Sequence, residues 1–198
     1  MINMEPKVDP TVEAFEQAIC EYTGAPYAVA VSSNTNGIFL CLEMLKYFDI
    51  KNQDTPIRLP SRTYYSVGMS VLHAGFKISF MDFKWSGEYR LGYTNIHDSA
   101  LRLERGMYEP GTIKVLSTQY RKPIPIGRGG VILTDNKEYA DHLRLIRLNG
   151  NEEISGWNMY MTPEQAARGL SLLERMKEPG CIGGSEDYED ISGWSVWR

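Results

Sequence analysis

Apolar residues in this chain follow two alternating rhythms. Phe15, Ala18, Ile19 and Tyr22 recur at helical spacing behind Asp9-Pro10, which can cap and open a helix, and Gly24 stands just beyond as a stop. Tyr27 to Val31 is a short apolar run suited to a buried strand. The polar run Ser32-Ser33-Asn34-Thr35-Asn36-Gly37 then leads into a helix over Ile38 to Phe48, apolar at Leu40, Leu42, Leu45 and Tyr47. The unit repeats, with a strand over Pro56 to Leu59, a helix over Tyr64 to His73 closed by Gly75, and a strand over Lys77 to Phe83. Further strands are predicted at Tyr93 to His97, Thr112 to Ser117 and Val131 to Leu133, and a helix at Lys137 to Leu148. Thr162-Pro163-Glu164-Gln165 reads as a capping box opening a helix that runs to about Met176. Strands alternating with helices predict an α/β fold, a three-layer, doubly wound and mostly parallel sheet.

Beyond Glu178 the rhythm stops. Gly180, Gly183, Gly184 and the acidic stretch from Glu186 to Asp190 predict a loosely ordered tail over 179–198, with Trp194 and Trp197 as the residues able to anchor its end. The remaining 1–178 suit one domain with a substantial core. With 42% hydrophobic and 23% charged residues the chain has the composition of a soluble globular protein, and its net charge of −4 carries no electrostatic footprint for nucleic acid. Three cysteines, Cys20, Cys41 and Cys181, are far apart and without CxxC spacing, which supports neither a disulfide framework nor a metal site. No apolar run reaches membrane-spanning length and Met1 to Pro10 has no signal-like core, so a cytoplasmic location is expected.

The chemistry-bearing residues sit where strands are predicted to end. In doubly wound sheets ligands collect beyond the carboxyl ends of the strands. After the first strand, Ser33, Asn34 and Thr35 open a helix, whose free N–H groups and dipole suit a phosphate; a plain helix cap is the bland alternative. Asp98 follows the strand ending at His97 and can hold a pyridine nitrogen protonated, or be an ordinary turn residue. Tyr64 can lay its ring on a cofactor, or belong to the core. Lys122 lies five residues after Ser117 and five before Gly127, between a hydroxyl and a glycine-rich turn, the placement a pyridoxal 5'-phosphate (PLP) enzyme needs for its amine.

Taken together and in order, these motifs resemble the DegT/DnrJ/StrS family of PLP-dependent sugar aminotransferases over about residues 12 to 176. Ser32-Ser33-Asn34-Thr35 is similar to its Ser-Ser-Gly-Thr phosphate turn, Pro60-Ser61-Arg62-Thr63-Tyr64 to Pro-x-x-Thr-aromatic, and His97-Asp98-Ser99-Ala100 to Glu-Asp-x-Ala. Ser117 to Gly130 resembles Ser-x4-Lys-x4-Gly-x-Gly-Gly, and Gly156 to Met161 followed by Gln165-Ala166-Ala167 resembles Gly-x-Asn-x-Arg-Met followed by Gln-Ala-Ala. The resemblance implies that Lys122 is the amine that bonds to the cofactor aldehyde, that Asp98 pairs with the ring nitrogen, and that Tyr64 stacks on the ring. It further implies phosphate contacts from Thr35 and Ser117, with Asn34 beside them in the cofactor-binding turn, and from Asn158 of the partner subunit in a homodimer. The implied reaction moves an amino group from a donor such as glutamate to a keto sugar, nucleotide-linked. A catalytically silent, shortened relative that binds PLP or a sugar nucleotide is the alternative.

Departures from the pattern are local and global. Asn34 replaces the turn glycine, Leu101 stands where a polar residue is common, Tyr160 replaces an arginine and Arg128 a glutamate. Fifteen residues separate Asp82 from Asp98, enough for one strand and a turn where the family has room for more. A minimal large domain is therefore expected, without part of its sheet and without the smaller C-terminal domain.

Overall fold

The structure, a computed structural model, describes residues 8–48, 54–176 and 180–197. Among the described residues, five α-helices and eleven short strands follow in the order α1 (Pro10–Thr23), β1 (Tyr27–Val31), α2 (Asn34–Tyr47), β2 (Ile57–Pro60), α3 (Tyr65–His73) and β3 (Ile78–Met81). Then come β4 (Tyr89–Arg90), β5 (Ile96–Asp98), β6 (Arg102–Leu103), β7 (Ile113–Ser117), β8 (Gly130–Thr134) and α4 (Lys137–Ile146). β9 (Leu148–Gly150), β10 (Ser155–Asn158), α5 (Pro163–Arg175) and β11 (Gly180–Cys181) complete them.

The helix starts follow their caps. Asp9 accepts from Thr11 N at 2.8 Å at the head of α1, and Thr162 with Gln165 forms a reciprocal capping box at the head of α5. Helix α2 begins four residues before the expected Ile38, because the Ser33 hydroxyl accepts from Asn36 N at 3.1 Å and turns the polar run into the first turn. That shift places Asn34 and Thr35 inside a helix N-terminus.

The main sheet has the strand order β1-β8-β7-β5-β4. β5 and β7 pair in parallel, β8 is antiparallel to both β1 and β7, and β4 is antiparallel to β5, so β1, β7 and β5 run one way and β8 and β4 the other. The expected α/β layering holds around a mixed sheet. A separate parallel pair, β2-β3, shares the core with it. Alternate residues of the strands face opposite helical layers. Val29, Val31, Val115 and Ile132 pack with α2, α3 and α4 through Ile38, Leu42, Leu45, Val67 and Leu143. Ala28, Ala30, Leu116, Val131 and Leu133 pack with Phe15 and Ile19 of α1 and Ala166 of α5. Gly37 lets α2 come close: a Cβ there would lie 2.8 Å from Val115 Cγ1.

One buried ion pair ties these layers together. Arg147, 1% exposed at the end of α4, donates from Nη1 to Glu16 Oε1 at 2.6 Å and to the Ala30 carbonyl, and Glu16 in turn accepts from Ala30 N at 2.8 Å. Helix α1, strand β1 and the α4 terminus therefore share one charge-assisted network.

The C-terminal segment corrects the expectation of a loose tail. β11 pairs with β6, Ser185 N donates to Trp85 O at 2.9 Å, and Ile191, 1% exposed, donates its N–H to Ser61 O at 3.0 Å. Trp197 bonds back through its indole N–H to Ile191 O at 2.6 Å and closes on Gly68 of α3. Sparse but large anchors, Ile191 and the tryptophans, outweigh the disorder that glycines and acids suggest, because each buries much apolar area.

Candidate active site

Three same-direction strands end at one edge of the sheet. β1 runs into Ser33 and the start of α2, β7 ends at Ser117, and β5 ends at Asp98. A cavity of about 760 Å³ opens there, lined among others by Ser33, Asn34, Thr35, Tyr64, Ser117 and Lys122. First-turn amides of a helix have no intrahelical acceptor, so the α2 terminus turns donors and a positive dipole end toward this space.

Asp98 lies beneath the cavity, 5% exposed. Its Oδ1 accepts from Asn34 Nδ2 at 3.0 Å and from Ala100 N at 3.2 Å, and its Oδ2 accepts from the Tyr89 hydroxyl at 3.1 Å. Burial raises its pKa, opposed by the bonds from Asn34, Tyr89 and Ala100 and by the positive charge of Lys122. Tyr89 is fixed by a 2.6 Å hydrogen bond with the Thr63 hydroxyl, and burial beside the Asp98 charge holds its own pKa well above the ordinary value. The acid is thus oriented by three donors before any ligand arrives.

Lys122 sits in the connection between β7 and β8. That loop closes on itself through Thr118 N to Gly129 O at 3.0 Å, Gly127 N to Thr118 O at 3.1 Å and Tyr120 N to Gly127 O at 3.1 Å, which sets Lys122 at the cavity wall. Gly129 permits the closure, with φ at 137° and no room for a Cβ, which would lie 2.5 Å from Thr118 Oγ1. Burial lowers the pKa of Lys122 and the charge of Asp98 partly restores it. A half-buried amine and a buried carboxylate therefore bias each other's titration.

The other expected residues divide into three cases. Tyr64, half exposed, precedes α3 and stacks obliquely on Tyr65, with its hydroxyl donating to the Tyr65 hydroxyl at 3.4 Å. Thr35 and Ser117 both border the cavity, Thr35 sharing a 2.8 Å hydrogen bond with Ser66 and Ser117 accepting only a long 3.5 Å contact from Gln119 N. Asn34 borders the cavity too, but its side chain spans Asp98 and the Val115 carbonyl (2.8 Å), so it serves the acid; an amide in place of the turn glycine is accounted for by that bond. Asn158 lies apart, exposed on β10 and paired with Leu148.

Sequence reasoning missed Tyr89, which no local pattern marks, and Ile182, Asp187 and Tyr188 of the C-terminal segment, which line the cavity. A second cavity, about 430 Å³ and lined by Tyr47, His142 and Trp157 among others, shares none of these residues.

The model of the DegT/DnrJ/EryC1/StrS aminotransferase family matches residues 6–88 and 104–179, and the chain belongs to that family. The match omits 89–103, the segment that carries Tyr89 and Asp98. The chain is similar to the UDP-4-amino-4,6-dideoxy-N-acetyl-beta-L-altrosamine transaminase of Campylobacter jejuni, 24% identical over 224 residues, which cover 91% of this chain and 57% of that protein. Its fold is similar to that of PseC from Helicobacter pylori, an aminotransferase involved in the biosynthesis of pseudoaminic acid, with a TM-score of 0.68 and 16% identity over 84% of this chain and 58% of that one. It is likewise similar to Spr1654 of Streptococcus pneumoniae in its PLP-form, with a TM-score of 0.68 and 15% identity over 85% and 60% of the two chains. The chain spans about three fifths of the length of these relatives.

Proposed function

We propose that this chain takes part in PLP-dependent transamination of a keto sugar, nucleotide-linked, with an amino acid such as glutamate as donor. The observation that carries the reading is a cavity that brings together Lys122, a helix N-terminus, an exposed aromatic ring and Asn34, whose amide is bonded to buried Asp98. These residues fit the cofactor's three demands: an amine with a lowered pKa for the aldehyde, a pre-oriented acid for the ring nitrogen, and donors for the phosphate. Family membership supports it, as does a structural neighbour solved in its PLP-form.

Bound PLP supplies an electron sink for the carbanion formed at the amino-bearing carbon. The protein's own groups do the rest. Asp98, held by Asn34, Tyr89 and Ala100 N, would supply the negative charge that pairs with the ring nitrogen. Lys122, its charged form disfavoured by burial, accepts and returns the proton at the substrate carbon. Tyr64, half exposed at the cavity, would lie on the ring, while the α2 terminus with Thr35 and Ser117 would hold the phosphate. Asn158 is exposed on β10, and a homodimer with Asn158 of the partner subunit in the phosphate site completes the proposal. None of the described helices is long and apolar enough to cross a membrane, and the three cysteines are free, which fits a cytoplasmic enzyme.

Adding PLP to the purified protein should produce the visible absorbance band of the lysine-bound cofactor, and glutamate should bleach it while 2-oxoglutarate appears. Lys122→Ala should lack the band. An unchanged spectrum in that variant overturns the role of Lys122.

A further inference from the structure

The second cavity, about 430 Å³, lies between the end of α2, helix α4 and the β9–β10 hairpin, and it shares no residue with the cavity around Lys122. Its size suits a small organic molecule. Its charges do not balance. On α2, Lys46 Nζ lies 2.5 Å from Glu43 Oε1, so those two charges cancel. Glu153, exposed in the hairpin, forms no ion pair with any described residue. One negative charge in the lining is therefore left without a counter-charge.

His142 of α4, only 8% exposed, borders the same cavity. Its ring stacks on Tyr47, with centroids 4.2 Å and planes 28° apart, and meets Phe48 edge-on at 5.3 Å. These ring contacts fix the imidazole, yet among the described residues neither of its nitrogens has a hydrogen-bond partner. Burial lowers its pKa, so at about pH 7.5 the ring is neutral and keeps one nitrogen as an acceptor. A buried polar group without a partner calls for one from outside the protein. Tyr47, 55% exposed, and Trp157 add electron-rich rings, and Ile146 and Ile154 add apolar surface. An unpaired carboxylate, an imidazole acceptor and aromatic faces all favour positive charge, whereas an anion would meet the charge of Glu153.

We propose that this cavity binds a small organic ammonium ion, its charged nitrogen met by Glu153, the free nitrogen of His142 and the rings of Tyr47 and Trp157, and its carbon body lying on Ile146 and Ile154. The site is separate from the proposed transamination and stands or falls without it.

The chain has three histidines, so nuclear magnetic resonance of protein labelled only at histidine gives a separate imidazole signal for each. That of His142 is the one surviving in both His73→Gln and His97→Gln, substitutions outside this cavity. Titration with n-butylammonium at about pH 7.5, where the ring is neutral, should shift the His142 signal to saturation and leave the other two in place. n-Butanol, the same body without the charge, should bind at least about fivefold more weakly. Glu153→Gln, an exposed position, should weaken n-butylammonium about three- to fivefold, the size of one part-exposed ion pair. A His142 signal that never saturates overturns the site, as does an equal response of all three histidines, which is an effect of salt. Butanol binding as tightly as butylammonium overturns it in favour of a plain apolar pocket, and acetate binding as tightly overturns it in favour of an anion site. Unchanged affinity in Glu153→Gln removes the carboxylate from the site and with it the proposal.

Discussion

Asn34→Ala probes the floor of the site directly. The substitution removes two hydrogen bonds from one nitrogen, to Asp98 Oδ1 at 3.0 Å and to the Val115 carbonyl at 2.8 Å. The carbonyl keeps a partner, because Ser99 N donates to it at 3.0 Å, so its loss is small. Asp98 keeps Tyr89 and Ala100 N but loses a donor to a buried carboxylate. Hydrogen bonds to charged groups contribute about 1.5–3 kcal/mol, against about 1 kcal/mol for neutral ones. The cost of the variant should therefore depend on whether Asp98 is ionised. Burial already raises the folded-state pKa of Asp98 above its unfolded value, and removal of Asn34 raises it further. With a raised carboxyl pKa the folded state holds the extra proton, so stability is greatest at acid pH and falls as pH rises from the unfolded pKa through the folded one. The variant extends that fall to higher pH. Urea unfolding of both proteins at a series of pH values from about 4 to 8 should show a difference near 1 kcal/mol at the acid end, growing to about 1.5–3 kcal/mol. Other carboxylates cancel in the difference. A gap that stays constant across the series would refute the idea that Asn34 bonds to an ionising Asp98.

Two further outcomes are expected. Competitive labelling of the cofactor-free protein with acetic anhydride should give Lys122 a titration midpoint below the ordinary lysine value of about 10.4, because burial favours its neutral form; a midpoint at or above that value contradicts the site geometry. Glu16→Gln leaves the Arg147 guanidinium buried without its counter-charge and should cost roughly 3 kcal/mol in urea unfolding, whereas a loss under 1 kcal/mol would mean that water reaches the arginine.

The periodic elements were legible because their physics is local. Helices α1, α4 and α5 start where Asp9, Asn136 and Thr162 offer a side-chain acceptor, and the apolar runs of β1, β7 and β8 are strands because they are buried on both faces. Short pairings such as β4 with β5, β6 with β11 and β9 with β10 had no such signal, since two to four residues carry no period and their partners are distant or glycine-rich. The candidate site divides the same way. Lys122, Asp98, Tyr64, Thr35 and Ser117 could be picked out because they follow strand ends at family spacing. Tyr89 could not, because its role is a bond nine residues along the chain across an antiparallel turn, with nothing in the adjoining residues to announce it. Asn34 was legible as a member of the site, while its duty toward Asp98, sixty-four residues away, was not.

By itself the sequence determined the layers, the order of the motifs and the amine on which the proposed chemistry rests, since caps, apolar runs and spacing act over a few residues. Tertiary structure decided which strands run backwards, which donors orient the acid, and that residues 180–197 pack as part of the domain. Those are long-range contacts, and their energy comes from burying surfaces and pairing polar groups that the chain only brings together once it is folded.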